Sequence, residues 1–387
     1  MSDNKRRSTA VWIGLISTWF GSHVGAGFAT GSQYVVYYGE YGWYSIFTPF
    51  VTWAIVGAVF YIIYEYCRLI GATSYKDYAK NFYLPQNKIV SGAFVLLFDL
   101  WLVLAQIIGL GGIMAGGGSM FESTFGIPYW AGIVIVGLVI AFMVVFGMNF
   151  LMKTQKYMMY VLWALIVTIS FIGLSHNMGN LRNVVATRQS EFTVFQALKA
   201  AFTYAALRMA VMGATSPIAG RLSDSRETRK GVILGAIVNG VMLWLFGLFI
   251  LSMYPEGNSY TLPVLTGIQN LGPSYRWLEI LYAALLFFAL VTTGAGCCFT
   301  MSSRFGPVLH KKIRSETLCR VIIIVVLLGI GSYFSSWGLY KVFSKGYGYL
   351  AKIAQPMVLY PAVLLGPYRI WQLRHDKGVV ARKGVMK

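Results

Sequence analysis

Long apolar runs alternate with short polar connections along the whole chain. Ten runs are distinct, and they cover about residues 10–38, 43–69, 88–115, 128–147, 157–175, 195–219, 231–253, 277–303, 317–334 and 338–366. A helix needs about 20 apolar residues to cross the hydrocarbon core of a bilayer, and these runs are of that order. The pattern predicts an all-α polytopic membrane protein with about ten transmembrane helices, here numbered spans 1 to 10.

The composition agrees with this pattern and excludes other classes of protein. Of 387 residues, 57% are hydrophobic and 12% are charged, and the mean hydropathy is +0.63. A soluble domain carries about 25% charged residues, so this chain lacks the polar side chains that a large water-facing surface requires. A single large soluble enzyme and a disordered chain are both excluded.

The net charge of +19 would suggest a nucleic-acid partner, but the placement of the charges argues against one. With the N-terminus inside, the cytoplasmic segments hold 24 Lys and Arg residues and the outer segments hold seven. This asymmetry follows the positive-inside rule. It predicts a multi-pass protein of the inner membrane with both termini in the cytoplasm. A signal peptide is the alternative for the N-terminus, but the apolar run continues to Tyr38, so we expect span 1 to be retained.

Two connecting segments indicate an internal repeat. Residues 74–87 and 259–273 both begin Ser-Tyr and both predict short amphipathic helices. Gly27 lies 47 residues before the first segment, and Gly213 lies 46 residues before the second. A repeat unit of five spans inverts the second copy relative to the first, which is an arrangement found in many secondary transporters.

The expected organisation is one transmembrane domain over residues 1–387. It comprises a first repeat at about 9–175, a second repeat at about 193–368, and a basic cytoplasmic tail at 369–387.

Span 1 contains four glycines in eleven residues, from Gly21 to Gly31. Each glycine costs a helix about 1 kcal/mol relative to alanine, so Gly25-Ala26-Gly27 is the expected position of a helix break. Broken backbone inside a membrane is tolerated where it lines a cavity, and there its polar groups can bind a solute or an ion. Close helix packing is the alternative explanation. The glycine spacing also resembles a dinucleotide fingerprint, but that motif needs a preceding strand.

Arg208 lies near the middle of span 6. An arginine at that depth costs about 2.5–3.5 kcal/mol on insertion scales, so it is a candidate for binding a solute. The alternative is an ion pair with Asp99 of span 3, which could instead carry a proton or hold a cation. Gln106 lies further along span 3, and Tyr204 lies one turn before Arg208. Glu65, near the cytoplasmic end of span 2, is expected to pair with basic residues.

His23, Thr292 and Thr293 are the other polar candidates. His23 adjoins the expected break, where it could contact solute, titrate near neutral pH, or act only as a packing residue. The two threonines of span 8 could bind a monovalent cation through oxygen, or bond their own helix carbonyls.

The four cysteines (Cys67, Cys297, Cys298 and Cys319) have no zinc spacing and are expected to be apolar packing residues. We find no motif for an enzyme and expect no catalytic residues. No cofactor is expected beyond a coupling ion.

The run Gly25-Ala26-Gly27-Phe28-Ala29-Thr30-Gly31, placed early in a ten-span chain, resembles the YkvI-type membrane permeases. These belong to the amino acid–polyamine–organocation superfamily, which has the LeuT fold. The resemblance implies a five-plus-five inverted repeat with breaks in spans 1 and 6, at which the solute binds.

The same resemblance implies roles for particular positions. A sodium site would be formed by Gly21, Val24, Ala289, Thr292 and Thr293. The backbone of Gly25 and Gly27 would face a substrate carboxylate, and His23 would lie beside the substrate. Arg208 is not part of the general superfamily pattern, so the substrate does not follow from the resemblance.

The sequence therefore predicts a secondary active transporter that works by alternating access. The expected solute is a small amino acid or a related zwitterion or carboxylate, coupled to sodium or protons. The candidate solute-binding residues, between spans 1, 3, 6 and 8, are His23, Gly25, Ala26, Gly27, Asp99, Gln106, Tyr204 and Arg208. A channel, an uncoupled facilitator and a membrane sensor are the alternatives. The bilayer and a small solute are the only partners expected, and the oligomeric state stays open.

Overall fold

The computed structural model describes residues 2–23, 25–83, 86–146 and 148–375, and these residues form helices joined by short turns. In the first half, span 1 consists of Ser2–His23, Ala26–Ala29 and Ser32–Tyr37, and spans 2 to 5 are Thr48–Ile70, Lys88–Phe125, Tyr129–Phe146 and Met148–Ala186. Its connections contain the 3-10 helix Gly39–Ile46 and the short helix Tyr75–Phe82.

The second half repeats this order. Span 6 consists of Val194–Arg208, the 3-10 turn Met209–Val211 and Met212–Ala219, and spans 7 to 9 are Ser225–Leu251, Arg276–His310 and Glu316–Ser335. Span 10 comprises Leu339–Lys341, the π turn Val342–Gly346, Tyr347–Ala354, the π turn Gln355–Leu359 and Tyr360–His375. The connections contain the 3-10 helices Glu256–Ser259 and Pro273–Tyr275 and the short helix Pro263–Gln269.

Ten membrane crossings account for these helices, as predicted. Seven described helices are long and apolar enough to span a bilayer, and Tyr129–Val145 is a shorter apolar one. The other two crossings are spans 1 and 6, whose interruptions divide them into shorter pieces. Large apolar side chains point outward along the spans, such as Leu364 at 76% exposure, which is the surface that a lipid environment requires.

The spans pack as two groups. Spans 1, 2, 6 and 7 contact one another and form what we call the bundle, whereas spans 3, 4, 8 and 9 form the scaffold. Span 5 packs on span 7, and span 10 packs on spans 2 and 6. The two groups therefore meet along spans 1, 3, 6 and 8.

Span 1 is interrupted twice. Its first helix ends at His23 and a new one begins at Ala26, while the second interruption follows Ala29. Gly31 there has φ of 80°, and a Cβ at this position would come within 2.7 Å of Val264 on the short helix Pro263–Gln269. Only glycine fits this left-handed and crowded position.

Span 6 is interrupted more mildly than span 1. The 3-10 turn Met209–Val211 follows directly on Arg208, and the residues that flank the turn have right-handed helical torsions. Both predicted breaks are therefore present, but only span 1 changes its backbone conformation sharply.

Span 10 accepts several hydrogen bonds from the first half of the chain. The Tyr37 hydroxyl donates to the carbonyl of Phe343 at 3.1 Å, and the Tyr83 hydroxyl donates to that of Met357. Both acceptors lie in the π turns, which interrupt the regular helix ladder. The Trp101 indole donates to the Leu350 carbonyl at 3.1 Å.

Glu65 joins three spans at one side of the membrane. The first described helix starts on that side at Ser2, and the last one ends there at His375, so we call it the terminal side and the opposite one the far side. The Glu65 carboxylate is fully buried and lies 2.7 Å from Arg68 Nη2 and 2.8 Å from Arg374 Nη2. It also accepts a hydrogen bond from Ser225 of span 7. The carboxylate thus connects spans 2, 7 and 10.

Candidate functional site

A cavity of about 420 Å³ lies between the bundle and the scaffold, beside the first interruption of span 1. Six of the residues selected from the sequence line it: His23, Gly25, Gly27, Gln106, Arg208 and Thr293. They come from spans 1, 3, 6 and 8, which are the four spans expected to meet there. Ala26 lies in the short helix Ala26–Ala29, and Val24 falls outside the described residues.

The cavity extends toward the terminal side. Its wall there includes Tyr75 and Arg304, which are partly exposed. On the far side, the Tyr282 hydroxyl donates to the Ala29 carbonyl and Ser32 Oγ donates to the Thr261 carbonyl at 2.5 Å. These contacts between span 1 and its neighbours separate the cavity from the far side.

Arg208 presents a buried positive charge to this cavity. The residue is 8% exposed, and its guanidinium carbon lies 4.8 Å from the centre of the Tyr204 ring. Within the described part of the chain, Arg208 forms no ion pair and its Nε has no hydrogen-bond partner. Tyr204 is itself buried beneath the guanidinium rather than at the cavity wall. The site therefore holds a cation that lies over an aromatic face and, among the described residues, has no carboxylate partner.

His23 is held by hydrogen bonds on both ring nitrogens. Nδ1 lies 2.8 Å from Asn239 Oδ1, and Nε2 lies 3.1 Å from the Tyr204 hydroxyl. Asn239 Nδ2 donates to the Gly235 carbonyl, which leaves Oδ1 as an acceptor facing the ring. His23 Nδ1 therefore donates to Asn239 Oδ1, while Nε2 contacts the Tyr204 hydroxyl, which also donates to Gln33 Oε1 at 3.5 Å. These contacts hold Tyr204 under Arg208.

The alternative in which Asp99 pairs with Arg208 is wrong. Asp99 contacts Arg304 and the Tyr75 hydroxyl, and lies 3.5 Å from Lys76 Nζ. The reason is depth, because the helix of span 3 runs from Lys88 to Phe125 and Asp99 lies in its first third. Asp99 is therefore close to the terminal side and does not line the cavity. Direct contact of Asp99 with a solute stays a prediction.

Spans 1 and 8 lie against each other at the position of the expected sodium site. A methyl group on Gly25 would lie 3.7 Å from Thr293 Cγ2, so spans 1 and 8 are in contact here. Thr293 Oγ1 donates to the Ala289 carbonyl at 2.7 Å, and Thr292 Oγ1 donates to the Phe288 carbonyl at 2.8 Å. The threonines therefore bond their own helix, while each oxygen keeps lone pairs that could bind a cation.

Gly21 does not line the cavity. The described residues contain no group of three His, Cys, Asp or Glu side chains placed to hold a metal.

Sequence reasoning missed one face of span 8. Thr293, Cys297, Thr300 and Arg304 all line the cavity, and their spacing of four, three and four residues places them on one side of a helix. That spacing could have identified Thr300 and Arg304 once Thr293 was selected. Tyr347 of span 10 also lines the cavity, and the sequence carried no comparable signal for it.

Together the fold and the cavity define a ten-helix membrane protein with the LeuT fold, in which interrupted helices border a central cavity. No family model matches the chain. The chain is similar to the uncharacterized membrane protein YkvI of Bacillus subtilis (strain 168), with 26% identity over 357 residues that cover 89% of this chain and 91% of YkvI. It is also similar to YyaD of the same organism, with 21% identity over 94% of this chain and 98% of YyaD. The resemblance to YkvI-type proteins is confirmed.

Solved structures confirm the fold. A sodium-coupled sialic acid symporter in a substrate-bound outward-open state matches with a TM-score of 0.61 and 15% identity, over 90% of this chain and 78% of the symporter. MhsT in complex with L-phenylalanine matches with a TM-score of 0.63 and 12% identity, over 93% of this chain and 97% of MhsT. At these identities the likeness shows a shared fold.

Proposed function

We propose that the protein is a secondary active transporter for a small amino acid or a related zwitterion or carboxylate. The observation that carries the proposal is the buried guanidinium of Arg208, which faces a cavity at the break of span 1. A charge at this depth is costly, and an ionisable residue inside a membrane is therefore a candidate for a functional role. The sodium-coupled symporter and the L-phenylalanine complex among the structural relatives support the same class of protein.

The proposed mechanism is alternating access. The cavity lies between the bundle and the scaffold, so a rocking movement of one group against the other would expose it to each side in turn. Opening toward the far side would break the contacts of Tyr282 with Ala29 and of Ser32 with Thr261. Both contacts connect span 1 to elements outside the bundle, namely span 8 and the connection between spans 7 and 8.

The proposed solute contact is a carboxylate held by Arg208. Arginine binds carboxylates through two parallel hydrogen bonds, and such charge-assisted bonds are about twice as strong as neutral ones. The backbone of Gly25 and Gly27 lines the same cavity and would complete the contact. A volume of about 420 Å³ suits a small metabolite.

Two coupling ions are proposed as alternatives. Sodium would use oxygen ligands from Thr292, Thr293 and Ala289 of span 8 together with span 1. A proton would use His23, because protonation would make both ring nitrogens donors and would fix the direction of the contact between Nε2 and the Tyr204 hydroxyl. Sodium titration of uptake separates the two.

The proposed location is the inner membrane with both termini in the cytoplasm, which makes the terminal side cytoplasmic. Reporter fusions at Ser8 and at Lys387 are expected to report the cytoplasm. A periplasmic signal from either fusion would contradict this orientation.

The transport proposal is tested by counterflow in proteoliposomes. Vesicles preloaded with an unlabelled candidate solute are expected to accumulate the labelled solute transiently, and Arg208→Gln is expected to abolish this accumulation. Uptake that never saturates and shows no counterflow would indicate a channel instead. The matched control is Arg320→Gln, because Arg320 is a half-exposed arginine of span 9 away from the cavity.

A further inference from the structure

The charges around the cavity narrow the class of solute. The lining residues in the described part of the chain include two cations, Arg208 and Arg304, and no aspartate or glutamate. The charge balance of the site therefore depends on whether each arginine has a carboxylate partner elsewhere.

Arg304 has such a partner. Its guanidinium contacts the Asp99 carboxylate, and its Nη1 donates to the Tyr75 hydroxyl at 2.9 Å. Lys76 lies 3.5 Å from the same carboxylate, with half of its side chain exposed to solvent. The charge of Arg304 is thus balanced within the protein, behind the cavity wall.

Arg208 has no carboxylate partner among the described residues. Its surroundings include the Tyr204 ring and the His23 imidazole that contacts the Tyr204 hydroxyl, and neither group carries a negative charge. A buried charge that lacks a partner is strongly unfavourable, so the solute has to supply the balancing charge. One negative charge on the solute would neutralise Arg208.

An ammonium group on the solute would cancel that balance. A zwitterionic amino acid brings one negative and one positive charge, so the site would keep a net positive charge at low dielectric. A coupling cation bound nearby would increase the imbalance. A hydroxyl in place of the ammonium has no charge, and Gln33 and Gln106 at the cavity wall offer it neutral hydrogen-bonding partners.

We propose that the solute carries a net negative charge: a small carboxylate, such as a 2-hydroxy acid, without a compensating ammonium group. This inference rests on the proposed function, since it concerns the solute of the same cavity. Of the solutes proposed above, it keeps the carboxylates with a net negative charge and excludes the zwitterionic amino acids.

The test uses matched pairs that differ only at the 2-position: L-lactate and L-alanine, 2-hydroxyisocaproate and L-leucine, and phenyllactate and L-phenylalanine. Thermal stabilisation of the purified full chain measures binding, because a ligand that binds the folded state stabilises it. We expect at least one hydroxy acid to bind tenfold or more tightly than its amino acid partner. Arg208→Gln is expected to remove that preference, and Arg320→Gln is expected to keep it.

Counterflow with the same pairs separates the two proposals. If the amino acids show counterflow and the hydroxy acids do not, the inference of an anionic solute is overturned and the proposal of a transporter is retained. Hydroxy-acid binding that depends on Arg208, without counterflow, would support the anion site and contradict the transporter. A preference that survives in Arg208→Gln would overturn the inference, because the charge of Arg208 would then not be its source.

Discussion

Replacing Arg208 with glutamine should separate solute binding from stability. In the ligand-free protein the substitution removes a cation–π contact with Tyr204, which is worth about 0.5–2 kcal/mol. It also removes the cost of burying an uncompensated guanidinium, which is several kcal/mol per ion. We therefore expect the ligand-free variant to unfold at the wild-type free energy or at up to about 2 kcal/mol above it.

The affinity for the solute should fall in the same variant. A hydrogen bond between charged groups contributes about 1.5–3 kcal/mol, so its loss should weaken solute binding by about 10- to 150-fold. Arg208→Lys should also weaken binding strongly, because an ammonium lacks the planar fork of the guanidinium. Expression of both variants should stay near normal.

The comparison variant is Arg304→Gln, which leaves Asp99 with Lys76 and Tyr75 as its partners. Loss of this partly buried contact between charged groups should destabilise the ligand-free protein by about 1–3 kcal/mol. Adding Asp99→Asn should recover part of that loss, whereas adding Asp99→Asn to Arg208→Gln should not rescue uptake.

The assay is thermal unfolding of the detergent-purified protein with and without solute. If Arg208→Gln lowers the ligand-free midpoint as much as Arg304→Gln does, the guanidinium is a structural partner and not a solute ligand. Recovery of uptake in the Arg208→Gln, Asp99→Asn double variant would equally contradict a solute-binding role for Arg208.

Three further measurements address the cavity and its closure. Cys297 is the cysteine that lines the cavity, so a charged thiol reagent should modify it in the wild type, and bound solute should protect it. Labelling that persists in Cys297→Ala would contradict the assignment of the modified thiol to Cys297. Thr292→Ala with Thr293→Ala should weaken sodium dependence of uptake by about tenfold while insertion is retained, and wild-type uptake that is indifferent to sodium would exclude the site. Tyr282→Phe removes the hydroxyl that donates to the Ala29 carbonyl, so labelling of Cys297 from the far side should increase. Unchanged labelling would show that this contact does not hold the far side closed.

The architecture was predictable because bilayer thickness fixes the length of each apolar run. The ends of the helices were not, since a helix continues into water wherever its polar side chains find partners. Span 3 extends to Phe125 and span 5 to Ala186, each about ten residues beyond its apolar run. This extension is why the depth of Asp99, and with it the partner of Arg208, was misjudged from sequence.

The cavity was predictable where rare residues marked it. Glycines in span 1 and a lone arginine in span 6 are costly in a membrane, so they identified the break and the buried cation. Thr300 and Arg304 carry no such mark by themselves, although their helical spacing from Thr293 would have found them. Tyr347 reaches the cavity from a helix that contains π turns, and no helical period in the sequence predicts where those turns fall.

The hydrogen bonds accepted by span 10 have a consequence for the order of synthesis. Tyr37, Tyr83 and Trp101 are made early, yet the carbonyls they bond belong to span 10, which leaves the ribosome after spans 1 to 9. Buried donors without acceptors are unfavourable, so the first repeat cannot reach its final packing while the nascent chain is incomplete. A chain that stops before span 10 would leave these side chains without their acceptors within the membrane, and cellular quality control recognises such incompletely packed intermediates.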